Sequence, residues 1–114
     1  MAVKNSVNQI PLTSINSAAF TGAYQLISGA AGITNSCFLI RIINNSNQNI
    51  TISYDGVNDH DFLPTLMTLQ LPFQSNSQPN NFNANLSKGT KIYVKGAAGA
   101  GLVYLAGYFQ AQGV

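Results

Sequence analysis

Apolar residues along this chain come in short β-branched and aromatic runs cut by Gly, Asn, Ser and Pro. No segment carries apolar residues at i, i+3, i+4 and i+7 over three turns behind a capping residue, so helices are not expected. Short runs between turn residues mark an all-β chain. The pattern predicts strands near Gln9–Thr13, Ala19–Ile27, Cys37–Asn44, Asn49–Tyr54, Leu66–Leu71, Lys91–Lys95 and Leu102–Gln110, with a short eighth near Phe82–Leu86. The polar stretch QSNSQPNNFNAN reads as a long loop. The expected fold is one domain over residues 1–114, an antiparallel β-sandwich, jelly-roll or Ig-like, of seven to eight strands.

Two hairpins follow from the alternation. A three-residue loop, Asn45-Ser46-Asn47, would pair Ile42 with Ile50, Ile40 with Ile52 and Phe38 with Tyr54. A loop one residue longer would put Arg41 on the apolar face, where an unpaired guanidinium is costly. Asn47 is suited to the left-handed backbone such loops use. The second hairpin would join KIYVK to LVYLAGYF through GAAGAG, with Val94 opposite Val103, Ile92 opposite Leu105, and Tyr93 opposite Tyr104 on the other face.

Those strands are apolar on both sides. If Phe38, Ile40 and Ile42 face the core, then Cys37, Leu39 and Ile43 face away from it. Val103, Leu105 and Phe109 likewise alternate with Leu102, Tyr104 and Tyr108. A half-buried strand should show a polar outer face, and exposed apolar patches on a protein surface mark contacts. The candidate contact residues are therefore Leu39, Ile43, Tyr93, Tyr104 and Tyr108.

Composition sharpens this picture. Charged residues make up 7% of the 114, against about 25% in ordinary domains. Amides and hydroxyls supply the polarity, and they cost less to dehydrate than ions do. Such a surface suits a life spent packed against other subunits. The net charge of +2 is too thin for a nucleic-acid-binding surface. MAVKNSVNQIPLTS has no apolar core of signal-peptide length, and no window approaches the ~18 apolar residues of a spanning helix. No membrane contact is therefore expected, and assembly is expected in a reducing cytosol. Cys37 is the one cysteine, so no intrachain disulfide can form, and its apolar run CFLIRII makes it a small core hydrophobe.

All three acidic residues and the one histidine fall in DGVNDHD: Asp55, Asp59, His60 and Asp61. The spacing is not that of an EF-hand, and no downstream Glu offers bidentate closure. Asp55-Gly56 and Asn58-Asp59 read instead as turn formers. With one His and three Asp crowded into one loop, no catalytic triad or cleft-spanning carboxylate pair is available. GAAGAG lacks the Lys-Ser/Thr and the helix of a phosphate cradle. No enzyme, cofactor or metal is expected. Lys91, Tyr93 and Lys95 alternate onto one strand face, an arrangement that can stack single-stranded bases but more simply guards a sheet.

The block LIRIINNSNQNITISYDGVNDHDFLP resembles small structural proteins of tailed bacteriophages. In these, a strand ending in Asn-Asn/Thr leads to a second strand ending in Ser-x-Asp-Gly, then to an Asn/Thr-Asp-His segment and a Pro. The matching residues here are Ile42 to Asn45, Ser53 to Gly56, Asn58 to Asp61, and Pro64. The match covers about a quarter of the chain, and the low charge and Asn and Ile content fit the crAss-like gut phages. The resemblance implies a compact, non-catalytic β-sandwich in the virion, assembled in the host cytoplasm. The expected role is an auxiliary or decoration capsid protein bound to other virion proteins (the major capsid protein, or portal or tail subunits) and to copies of itself. A tail, collar or adaptor subunit is the alternative within virions. A glycan-binding module using Tyr93, Tyr104 and the Asn-rich loop is the alternative of another class.

Overall fold

A computed structural model describes residues 6–72 and 86–111. The strands are β1 (Ser6–Gln9), β2 (Thr13–Asn16), β3 (Gln25–Leu26), β4 (Leu39–Ser46), β5 (Ile50–Ser53), β6 (Asp61–Leu63), β7 (Thr68–Pro72), β8 (Tyr93–Lys95) and β9 (Gly101–Ala111). They form two antiparallel sheets packed together. One runs β1-β9-β4-β7 with β2 also on β9, and the other runs β3-β8-β5-β6. The fold is the expected all-β sandwich.

The pairing is nested. β1 and β2 pair with β9, β3 with β8, β4 with β7, and β5 with β6. The chain thus behaves as one long double ribbon, outermost strands paired with outermost, rolled over so that alternate segments fall in opposite sheets. The contacts β4–β9 and β5–β8 then close each sheet. That nesting is the jelly-roll arrangement.

It also overturns both expected hairpins. β4 and β5 lie in different sheets, as do β8 and β9. Ile40, Ile42, Ile50 and Ile52 do share the core, each fully enclosed, but they meet across the sandwich instead of side by side. Period-two patterning says which face is buried; it cannot distinguish a strand partner from a facing sheet. Asn47 does not take the left-handed conformation, since Leu66 is the non-glycine with positive φ among the described residues. Asn47 instead binds the β8–β9 link, its amide oxygen accepting from Ala100 N–H at 2.9 Å.

Two further differences have local causes. The expected strand Gln9–Thr13 is two strands, because the chain breaks over Ile10-Pro11-Leu12 and Pro11 has no N–H for the ladder. Ala19–Ile27 shrinks to the two residues of β3 behind a 3-10 turn at Ser17–Ala19, capped by the Asn16 side chain. β6 adds a strand where only a turn was expected, so the described residues hold nine strands where seven to eight were expected. The predicted Phe82–Leu86 strand and the QSNSQPNNFNAN loop lie outside the described residues, except that Leu86 forms an isolated bridge to Cys37.

Cys37 is fully enclosed in the core, and Phe38 is not part of the buried set, the reverse of the predicted alternation. The reversal arises because regular strand geometry starts only at Leu39, so Cys37 is placed by its bridge to Leu86 and not by the β4 pleat. From Leu39 onward the alternation holds, with Ile40, Ile42 and Asn44 inward. On β9, Val103 and Leu105 are buried and Phe109 packs on the core, as the pattern predicts.

Candidate interaction face

The outer face of the five-stranded sheet is built by its two central strands. β4 and β9 pair so that Leu39 lies opposite Tyr108, Arg41 opposite Ala106, and Ile43 opposite Tyr104. All six are half-buried, while Ile40, Ile42, Val103 and Leu105 on the inner side are enclosed. Leu39 and Ile43 are therefore flanked by aromatic neighbours and keep part of their surface in solvent. Cross-strand pairs of this kind contribute about 0.2–1 kcal/mol each, so the face is ordered by the fold itself.

The apolar strip has a polar rim. β7 lays Thr68 beside Ile43 and Gln70 beside Arg41, and β2 lays Ser14 beside Tyr104 and Asn16 beside Leu102. These four side chains are exposed. An apolar strip inside a rim of amides and hydroxyls is the anatomy of a protein–protein contact. Arg41 is the one charge of the strip, and no ion pair engages it among the described residues.

Tyr93 is not on this face. It lies on β8 in the other sheet, paired with Leu26 and Ser53, so the expected Tyr93–Tyr104 pair does not form. The two residues sit on opposite sheets because β8 and β9 cross the sandwich. Of the five candidate contact residues, the fold brings together Leu39, Ile43, Tyr104 and Tyr108 and separates Tyr93.

Tyr93 belongs to a second cluster, and this one contains the acidic loop. Gly56, at φ +76°, lies on the Tyr93 ring so closely that a Cβ there would come 2.9 Å from its Cζ. Tyr24 meets Tyr93 edge-on with ring centroids 6.3 Å apart. The Lys95 ammonium lies 4.5 Å from the Tyr24 centroid and 2.9 Å from Asp59 Oδ1. Tyr24 donates its hydroxyl to the same carboxylate oxygen. The Tyr24 bond, then Lys95, draws the Asp59 carboxyl below its ordinary range, and that bond raises the Tyr24 phenol. Each ring thus has one face covered by its own chain, which leaves a poor stacking platform for bases or sugars.

The remaining carboxylates are engaged separately. Asp55 accepts from Asn58 N–H at 2.9 Å, Val57 N–H at 2.8 Å and the Ser53 hydroxyl at 2.9 Å, and its second oxygen takes the Asn58 amide. Those bonds, led by the two backbone donors, hold its carboxyl well below the usual carboxylate range. Asp61 accepts from the Tyr54 hydroxyl at 2.7 Å. Burial first, then Asp61, pushes the Tyr54 phenol far up. His60 Nδ1 accepts from Tyr54 N–H at 3.0 Å. Among the described residues no group of three or more His, Cys, Asp or Glu converges for a metal. The loop's acids serve to fold the loop.

The sequence reading passed over Asn44, Ser17 and Leu66. Asn44 and Ser17 are buried polar residues that fix the links between sheets. Asn44 signals this by a hydrogen-bonding side chain at an inward position of the β4 alternation, whereas Ser17 sits in the 3-10 turn, outside any strand, and leaves no such signal. Comparisons with family models, with curated proteins and with solved structures found no match.

Proposed function

We propose that the protein is a non-enzymatic structural component of a phage virion, an auxiliary or decoration subunit that binds neighbouring capsid subunits. The contact is the outer face of the five-stranded sheet. One observation carries the reading: the Leu39–Tyr108 and Ile43–Tyr104 pairs leave an apolar strip half in solvent on a rigid pair of central strands. A sheet face with no partner would be expected to alternate to polar residues there. The low charge of the chain and the likeness of its Ile40–Pro64 block to small phage structural proteins support the same reading.

Adhesion is the mechanism. The strip is preordered, so docking costs little side-chain entropy, and the rim of Thr68, Gln70, Ser14 and Asn16 can exchange water for partner groups without desolvating an ion. Specific contacts of this kind bury on the order of 1,200–2,000 Å² in total. The test is incorporation into particles. Leu39→Asp and Ile43→Asp should each block incorporation while the purified subunit still melts cooperatively. Normal incorporation of both variants would refute the assignment of this face.

A further inference from the structure

Arg41 stands at the centre of the outer strip. Leu39 and Ile43 flank it along β4, Ala106 lies opposite it on β9, and Gln70 lies opposite it on β7. No other charged residue occurs in the five strands of this sheet. Arg41 is half-buried. Among the described residues no carboxylate pairs with it and it lies over no aromatic ring. The fold therefore makes no use of this charge, although it sits in the middle of an otherwise apolar face.

The strip itself sets what can cover it. A partner that covers Leu39, Ile43, Tyr104 and Tyr108 also takes Arg41 out of water. An ion leaves water at tolerable cost only when a counter-charge and hydrogen-bond acceptors replace the solvent. A guanidinium presents five N–H donors in a planar fork that matches a carboxylate two bonds at a time. The chemical complement of this strip is an Asp or Glu side chain framed by apolar residues.

A second copy of the chain does not offer that complement. The chain has three acidic side chains, Asp55, Asp59 and Asp61. Each is committed within its own subunit: Asp55 to Asn58, Val57 and Ser53, Asp59 to Tyr24 and Lys95, and Asp61 to Tyr54. All three belong to the turn between β5 and β6 or to the start of β6, in the other sheet. Two copies meeting strip to strip would oppose Arg41 to Arg41 with no acid between them, which resists contact. Nucleic acid fits no better, because phosphate binding relies on several cations and this face carries one.

We propose that the outer strip docks a different protein, one that sets an Asp or Glu side chain against Arg41 inside an apolar ring, and that copies of this chain do not pair through it. The inference rests on the reading of the strip as a contact face and adds the chemistry of the partner.

The probe is particles assembled without the subunit, titrated with purified wild-type protein and variants. Arg41→Gln, which leaves the partner's acid buried without its counter-charge, should bind about a hundredfold or more weakly. Arg41→Glu should bind more weakly still, and Arg41→Lys, which keeps the charge and loses the fork, should lie between wild type and Arg41→Gln. All three should melt like wild type, since the side chain is not part of the core. Carbodiimide joins an amine to a carboxylate only where the two touch, so particles loaded with Arg41→Lys should yield a cross-link from position 41 to an Asp or Glu of another virion protein, located by mass spectrometry. Leu39→Asp separates the two levels. If Leu39→Asp binds normally, the face itself is wrongly assigned and the inference falls with it. If Leu39→Asp fails to bind while Arg41→Glu binds like wild type or no worse than Arg41→Gln, the strip remains a contact and the acidic partner is refuted. A cross-link from position 41 to Asp55, Asp59 or Asp61 of another copy, or bound Arg41→Lys that gives no cross-link, also overturns the proposal.

Discussion

The side-chain amide of Asn44, on β4 of one sheet, donates to the main-chain carbonyl of Leu63, the last residue of β6 in the other, at 3.2 Å. The same nitrogen donates to Gln48 O at 2.8 Å and Pro64 O at 3.2 Å, and the amide oxygen accepts from Ser46 N–H at 3.2 Å and the Ser46 hydroxyl at 2.5 Å. Asn44 is 1% exposed. It satisfies the carbonyls of the segments that leave β4 and β6, and so fixes where the chain passes from one sheet to the other. Asn44→Ala would remove the donor from the enclosed Leu63 O and the part-buried Gln48 O and Pro64 O, and the acceptor from the enclosed Ser46. Each unsatisfied buried group costs about 1–3 kcal/mol, so the variant should lose about 3 kcal/mol or more, read as a lower urea midpoint at unchanged m-value. A loss below about 0.5 kcal/mol, the scale of a neutral surface change, would mean that water replaces the amide freely.

Gly107 tests the packing between β9 and its neighbours. A Cβ there would come 2.9 Å from Ile10 Cδ1, 3.0 Å from Ile40 Cδ1 and 3.1 Å from Cys37 Sγ. All three neighbours are enclosed, so none can swing into solvent. Gly107→Ala should therefore destabilise by about 1–3 kcal/mol through overpacking. Gly107→Ala combined with Ile40→Val, which withdraws one of the crowding methyls, should recover part of the loss. Additive effects of the two substitutions in thermal melts would disprove the clash.

The sequence made the sandwich, its inward residues and most strand positions readable, because burial on one face of a strand leaves a period-two trace. Ile40, Ile42, Ile50, Ile52, Val94, Val103 and Leu105 all lie inward as the alternation indicates. It did not make the connectivity readable. Ile42 and Ile50 on one shared face fit a hairpin and a sheet-to-sheet crossing equally well, and what decides between them is Asn44, a polar residue whose role depends on carbonyls of residues 48, 63 and 64. The error carried directly into the candidate site. Tyr104 and Tyr108 stayed with Leu39 and Ile43, since all four belong to strands that pair, whereas Tyr93 was placed beside Tyr104 by a hairpin that does not form. The left-handed backbone of Leu66 left no trace, because positive φ in a leucine runs against its local preference and is imposed by the bonds around it.

Cys37 offers a kinetic readout of the core. Its Sγ is enclosed and donates to Asn35 O at 3.4 Å. Burial pushes the thiol above its ordinary range, so little thiolate is present near neutrality. In native protein at mildly alkaline pH, a disulfide reagent should react only as fast as the β4–β9 region opens, and in urea it should react at once. Gly107→Ala, by loosening the same region, should speed the native reaction. Prompt reaction of the wild-type native protein would place Cys37 at the surface.

The acidic loop should set part of the acid stability. Asp55 is drawn down chiefly by the backbone N–H groups of Asn58 and Val57, with the Asn58 side chain next. A carboxyl lowered in the folded state stabilises fully above its unfolded range and loses that contribution as pH falls through the range toward its folded value. Wild-type stability should accordingly decline as pH drops below about 4, the ordinary range of Asp. Asp55→Asn keeps an oxygen for the two backbone donors but has no charge to titrate. The gap in urea midpoint between wild type and Asp55→Asn should therefore be widest at neutral pH and narrow steadily with acidification. Asp59→Asn should show a similar narrowing through its bonds to Tyr24 and Lys95, and Lys95→Met should remove only that second part. A gap that stays constant from neutral pH down to about 2 would show that the charge of Asp55, as opposed to its shape, contributes nothing to the loop.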